Sequence, residues 1–246
     1  MLEDSSAVPP QVQQSVVQKT VDESTGKTTS IKKSWPPLEN GASAQAPNLL
    51  ARNYLLVLDH SGSMGSSERS SNCDTNGRSK IDVAKAAITE FAKAIPNDAN
   101  IGLEWFAPSE VVVPLSLNTP EQNQGFVQKL MTAESDSGTP IAEAMELAYN
   151  TLTAQAVLQL GYGEYYIVIV TDGAADSGSD PGRWVEFITK NTPIVIYTIG
   201  FCIGSQHSLN QPGITTYKNA SNVGQLAAAL QDVLAEAPDF TPLTFE

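Results

Sequence analysis

The chain has 246 residues, with 27 Asp and Glu against 14 Lys and Arg and a formal net charge of −13 at pH 7. That length suits one large α/β domain or two small ones with an ordinary core, and so acidic a balance sets aside a nucleic-acid backbone or an anionic bilayer as partner. No run approaches the roughly 18 apolar residues of a spanning helix, so no membrane insertion is expected of the chain as given. MLEDSSAVPP lacks the basic and apolar blocks of a signal peptide, though a leader or anchor removed by processing would leave no trace. The two cysteines, Cys73 and Cys202, are too few for a disulfide framework and wrongly spaced for zinc.

Residues 1–48 are dominated by Gln, Ser, Thr, Lys and Pro and read as an N-terminal arm that ends in a linker, WPPLENGASAQAPN. Inside it, Thr, Val and Ile flank Glu23-Ser24-Thr25-Gly26-Lys27, the pattern of a hairpin with Gly26 at positive φ. A flexible arm is the other reading of so polar a stretch. From residue 53, YLLVLD is nearly continuous in apolar residues and ends in an acid, as a strand buried on both faces does. A Ser/Asn/Gly loop follows. In SKIDVAKAAITEFAKAI, Ile81, Ala84, Ala87, Ile88, Phe91 and Ile95 recur at helical spacing, with Ser79 as N-cap and Pro96 as stop.

IGLEWFA and VVVPLSL are predicted to pair antiparallel, because Pro108-Ser109-Glu110 is too short for a crossover. TPEQNQGFVQKLM and TPIAEAMELAYNTLTAQAV each open on Thr-Pro and read as helices, since proline is accepted in the first turn. YYIVIVTD is a second buried strand ending in an acid. The helix DPGRWVEFITKN, the strand PIVIYTIGF, a long loop, ITTYKNA and the amphipathic SNVGQLAAALQDVLAEA complete the chain. The predicted fold class is therefore α/β: a doubly wound, mostly parallel sheet with one antiparallel strand and helices on both faces. It spans residues 49–237, and 238–246 form a C-terminal tail.

In such a sheet the ligand crevice lies beyond the carboxyl ends of the strands where strand order reverses. Asp59 and Asp172 end the two most apolar strands. If those strands are neighbours, their carboxylates meet the hydroxyls of Ser61 and Ser63, and Thr139 in SDSGTPIAEAM adds a third. Five oxygen donors without His or Cys select a hard cation: Mg²⁺ first, with Mn²⁺ or Ca²⁺ as alternatives.

Asp59-His60-Ser61-Gly62-Ser63, Thr139 and Thr171-Asp172-Gly173 resemble the metal-ion-dependent adhesion site of von Willebrand factor A-like domains. The resemblance runs from about residue 49 to 237 and takes in the closing YKNASNVGQLAAALQDVL. It implies that Ser61, Ser63 and Thr139 bind the metal directly and that Asp59 and Asp172 bind through water. His60 falls at a variable position and takes no ligand role. With both carboxylates one water away, the ion keeps its electrophilicity and an open position. The implied function is a non-catalytic, metal-dependent adhesion module whose protein partner offers an Asp or Glu carboxylate. Alternatives are a regulatory subunit of an ATPase or chelatase-type machine, and a structural subunit of a surface or pilus assembly.

Enzymatic readings fail on local residues. An aspartyl-phosphate phosphatase would want a second Asp two residues after Asp59, where Ser61 stands, and SGSMG does not form the G-x-S-x-G elbow of a serine hydrolase. His207 in GSQHSLN reads as a loop polar group rather than a base. Cys73 and Cys202 both fall on the upper face of the sheet and form a candidate disulfide. The alternative is a buried thiol at Cys202 and an exposed one at Cys73. A bridge favours an extracytoplasmic location in a bacterium (periplasmic, surface or secreted) over a cytoplasmic one. Asn219-Ala220-Ser221 matches a glycosylation acceptor, a triplet common by chance.

Overall fold

Strands made of Val, Ile, Leu and Tyr without interruption leave no face for water, so they come to rest between two helical layers. The computed structural model describes the backbone of residues 18–21 and 28–31 and all of residues 35–106, 109–136, 138–173, 175–176 and 180–236. Near the N-terminus β1 (Gln18–Val21) pairs antiparallel with β2 (Thr28–Ile31), Gln18 facing Ile31. The turn expected around Gly26 and the C-terminal tail lie outside the described residues.

The domain then runs through β3 (Arg52–Leu58), a 3-10 turn (Gly62–Gly65), a small hairpin of β4 (Arg69–Ser70) and β5 (Cys73–Asp74), α1 (Lys80–Ala94), β6 (Asn100–Trp105) and β7 (Glu110–Leu117). It continues with α2 (Pro120–Met131), α3 (Ile141–Leu158), β8 (Glu164–Thr171), α4 (Pro181–Asn191), β9 (Val195–Phe201), β10 (Thr216–Ala220) and α5 (Val223–Glu236). Six strands form one sheet in the order β10-β9-β8-β3-β6-β7. All neighbours are parallel except β6 and β7, whose short connection permits only an antiparallel return. Alternate residues of β3 point to opposite layers: Tyr54, Leu56 and Leu58 meet α1, α2 and α5, whereas Leu55 and Val57 meet α3 and α4. The expected doubly wound architecture is present.

Strand order reverses at β3. The chain leaves β3 for β6 and β7 on one side, then returns to place β8 on the other, with Leu58 opposite Val170. The tips carrying Asp59 and Asp172 are therefore neighbours. α1 opens as expected, Ser79 Oγ accepting the Asp82 N–H at 3.2 Å. Thr119 caps α2 in the same way. The second Thr-Pro behaves differently: α3 starts at Ile141, two residues after Thr139, with Pro140 at the N-cap and no side-chain cap.

Two segments read from composition as loop or linker carry structure. The insertion after β3 folds into the β4–β5 hairpin, Arg69 opposite Asp74. Residues 35–51 lie along the base of the domain: Trp35 Nε1 donates to Thr153 Oγ1 of α3 at 3.0 Å, and its ring meets Tyr165 of β8 edge-on at 5.0 Å. Pro36 is buried, and the amides of Gln45 and Ala46 both donate to Leu158 O.

Candidate metal centre

The apolar run of β3 ends at Asp59, whose N–H donates to Val170 O at 2.9 Å and extends the ladder one residue beyond the strand. Its carboxylate is buried and held on both oxygens: Oδ1 accepts the Ser61 N–H at 2.8 Å, and Oδ2 accepts the Thr171 hydroxyl at 2.6 Å. Burial pushes the Asp59 carboxyl above the usual range, and the negative charge of Asp172 adds to that; the Thr171 and Ser61 hydrogen bonds pull the other way. After Asp59 the chain tightens into the 3-10 turn, Met64 N donating to Ser61 O, and the Met64 side chain plugs into the core below. That anchor fixes the direction of the two serine hydroxyls above it.

Ser61 Oγ and Ser63 Oγ lie 3.0 Å apart, and Ser63 Oγ donates to Asp172 Oδ1 at 2.6 Å. Thr139 comes from the opposite side of the cluster. Its N–H donates to Asp176 Oδ2 at 2.9 Å, and its carbonyl accepts the Asp176 N–H. A Cβ placed on Gly173 would stand 3.5 Å from Thr139 Oγ1 and 3.8 Å from Asp59 Oδ2. Glycine thus keeps clear the space that these two side chains face. Asp59, Ser61, Ser63 and Asp172 form one hydrogen-bonded group at the rim between β3 and β8, and Thr139 borders it across Gly173.

The donor chemistry fits a small hard cation. Adjacent ligands of an octahedral ion with bonds of about 2.1 Å stand about 3.0 Å apart, which is the Ser61–Ser63 separation. Among the described residues no group of three or more His, Cys, Asp or Glu side chains could hold a metal. The convergence here is instead two carboxylates with neutral hydroxyls, a set suited to Mg²⁺ or Mn²⁺ rather than to zinc.

Lys80 and Asp176, not singled out from sequence, and His207, read there as a loop polar group, complete the surroundings. Lys80 Nζ donates to Asp172 Oδ2 at 2.9 Å. Asp176 holds Thr139, as above. His207 Nδ1 accepts the Leu209 N–H at 3.0 Å, which leaves the proton on Nε2 to donate to Gly173 O at 2.8 Å. Burial lowers the His207 pKa and favours the neutral ring; its role is to brace the loop after Asp172. His60 turns away from the cluster, edge-on to Trp105 at 5.3 Å. Cys73 and Cys202 are joined by a disulfide with Cα atoms 5.1 Å apart, which ties the β4–β5 hairpin to the end of β9.

Residues 54–174 match the von Willebrand factor type A domain family. This segment belongs to that family. The uncharacterized protein YwmD of Bacillus subtilis (strain 168) is 28% identical to the chain over 162 residues, 61% of this chain and 67% of that protein. Among solved structures, a von Willebrand factor type A protein from Catenulispora acidiphila superposes with a TM-score of 0.61 at 14% identity, covering 76% of this chain and 42% of that one. The pilus adhesin SpaC from Lactobacillus rhamnosus GG gives 0.58 at 14% identity, over 78% of this chain and 31% of its own. The chain thus spans less than half the length of these two solved proteins, and at such identity the likeness concerns the fold.

Proposed function

We propose that this von Willebrand factor A domain is a non-catalytic binding module that captures an Asp or Glu carboxylate of a protein partner through a divalent cation, Mg²⁺ first. Ser61, Ser63 and Thr139 would hold the ion, with Asp59 and Asp172 supporting it through water. The observation that carries the reading is the hydrogen-bonded group of Ser61, Ser63, Asp59 and Asp172 at the topological switch point, with Thr139 across Gly173. When bound, the ion supplies an electrophilic position that a foreign carboxylate oxygen completes. The chain's own part is placement. Thr171 and the Ser61 amide hold Asp59 still, Met64 anchors the serine turn, Asp176 sets Thr139, and His207 braces Gly173.

An adhesion role outside the cytoplasm is supported by the Cys73–Cys202 disulfide and by the likeness in fold to a pilus adhesin. The same disulfide disfavours service beside a cytosolic ATPase. No helix of the described residues is long and apolar enough to cross a membrane.

The test is calorimetric titration of Mn²⁺ into the full chain and into Asp59→Ala, with a partner pull-down run in Mg²⁺ and in EDTA. Wild type should bind and the variant should lose at least about tenfold in affinity, the loss of one charged group at a dication. Equal affinities, or capture undiminished by EDTA, would remove the metal from the reading.

A further inference from the structure

Lys80 is the first residue of α1, where the helix macrodipole favours anions and disfavours a cation. Asp172 holds it there. The ammonium is 2.9 Å from Asp172 Oδ2, with the two side chains only 10% and 0% exposed, so solvent and salt screen the pair little. The other oxygen of Asp172 accepts the Ser63 hydroxyl. A second carboxylate waits nearby: Glu68 Oε1 lies 3.9 Å from the same ammonium and is 43% exposed. Glu68 sits on the loop that Thr75 ties by hydrogen bonds to its backbone, beside the hairpin clamped by the disulfide.

We infer that Lys80 is a built-in competitor for Asp172 that lowers the site's affinity for divalent cations, with Glu68 as the second seat its ammonium takes when Asp172 serves an ion. The inference rests on reading the rim cluster as a metal centre. Its physical basis is charge. Asp59 and Asp172 alone would present two negative charges to a dication; with Lys80 in contact the group presents one. A dication drawing on Asp172 also meets the repulsion of an ammonium at hydrogen-bond distance from that same carboxylate, in surroundings of low dielectric. Lys80 thus sets the divalent concentration at which the site fills, and so the conditions under which a partner is captured. The two seats let that adjustment occur by a side-chain swing, with the backbone of α1 unmoved.

The test titrates Mn²⁺ calorimetrically into wild type, Lys80→Met, Lys80→Gln and Lys80→Arg, each stripped with EDTA beforehand and checked for fold by circular dichroism. Gln keeps an amide donor for Asp172, so a neutral variant remains if the Met chain fails to fold. The neutral variants should bind Mn²⁺ more than about tenfold tighter than wild type, and Arg should stay near the wild-type value. Tighter binding by the neutral variants supports the inference even where wild type binds too weakly to measure. Wild type binding Mn²⁺ with the neutral variants no tighter overturns the competitor role and leaves the metal reading standing. No Mn²⁺ binding by any of the four chains overturns both.

Discussion

Replacing Glu104 with glutamine exchanges one oxygen for an NH₂ group in the interior and deletes one titration. Glu104 lies on β6, flanked in register by Val57 of β3 and Val111 of β7, and is fully buried. Neither carboxyl oxygen finds a hydrogen-bond partner among the described residues. Burial alone pushes its pKa from 4.5 up to about 9, so the folded protein carries it as a neutral acid at pH 7. The unfolded chain loses that proton near pH 4.5. Stability associated with the protonated group is therefore complete below pH 4.5 and drains away as pH rises toward about 9. At about 1.4 kcal/mol per pH unit, the wild type loses about 3 kcal/mol from this residue between pH 5 and pH 7, and about 6 kcal/mol over the whole window. Glutamine has no such loss. Urea denaturation of both proteins at pH 5, 7 and 8.5 measures it, because the difference between the two profiles cancels every other titrating group. The advantage of Glu104→Gln should grow by about 3 kcal/mol from pH 5 to pH 7 and further by pH 8.5. Profiles that run parallel would mean that Glu104 keeps an ordinary pKa and that the burial argument is wrong.

The disulfide closes a sequence separation of 129 residues. On chain-entropy grounds a loop of that size is worth about 5 kcal/mol, so reduction, or the Cys73→Ser/Cys202→Ser pair, should lower the guanidinium midpoint clearly, and an unchanged midpoint would refute the clamp. Trp35→Ala removes an edge-on ring contact to Tyr165 and a hydrogen bond to Thr153. It should cost about 2 kcal/mol of stability while leaving Mn²⁺ affinity unchanged, because Tyr165 is at the far end of β8 from Asp172. A shift in Mn²⁺ affinity with that substitution would show that the base and the rim are coupled.

The sequence by itself determined the kind of fold and which side chains stand at the strand tips. YLLVL and YYIVIV have no polar face, so they had to be buried on both sides; Ser79 and Thr119 cap the helices that follow them; the brief step from β6 to β7 left only an antiparallel return. These are local matters, settled by periodicity, capping and chain length, and so they are readable along the chain. Position 139 shows where such reading stops. Thr-Pro starts α2 but not α3: Thr139 stands one residue before the N-cap Pro140, and its amide donates to Asp176, 37 residues away. Composition likewise made 35–48 a linker, whereas Trp35 has a slot between α3 and β8. Only the tertiary structure decided that β3 and β8 are neighbours, that Lys80 meets Asp172 across 92 residues, and that His207 supports Gly173 across 34. A lysine in a first helical turn and a histidine in a loop carry no local mark of their partners. Their pairing depends on strand order and register, which the packing of whole layers selects and no short stretch encodes.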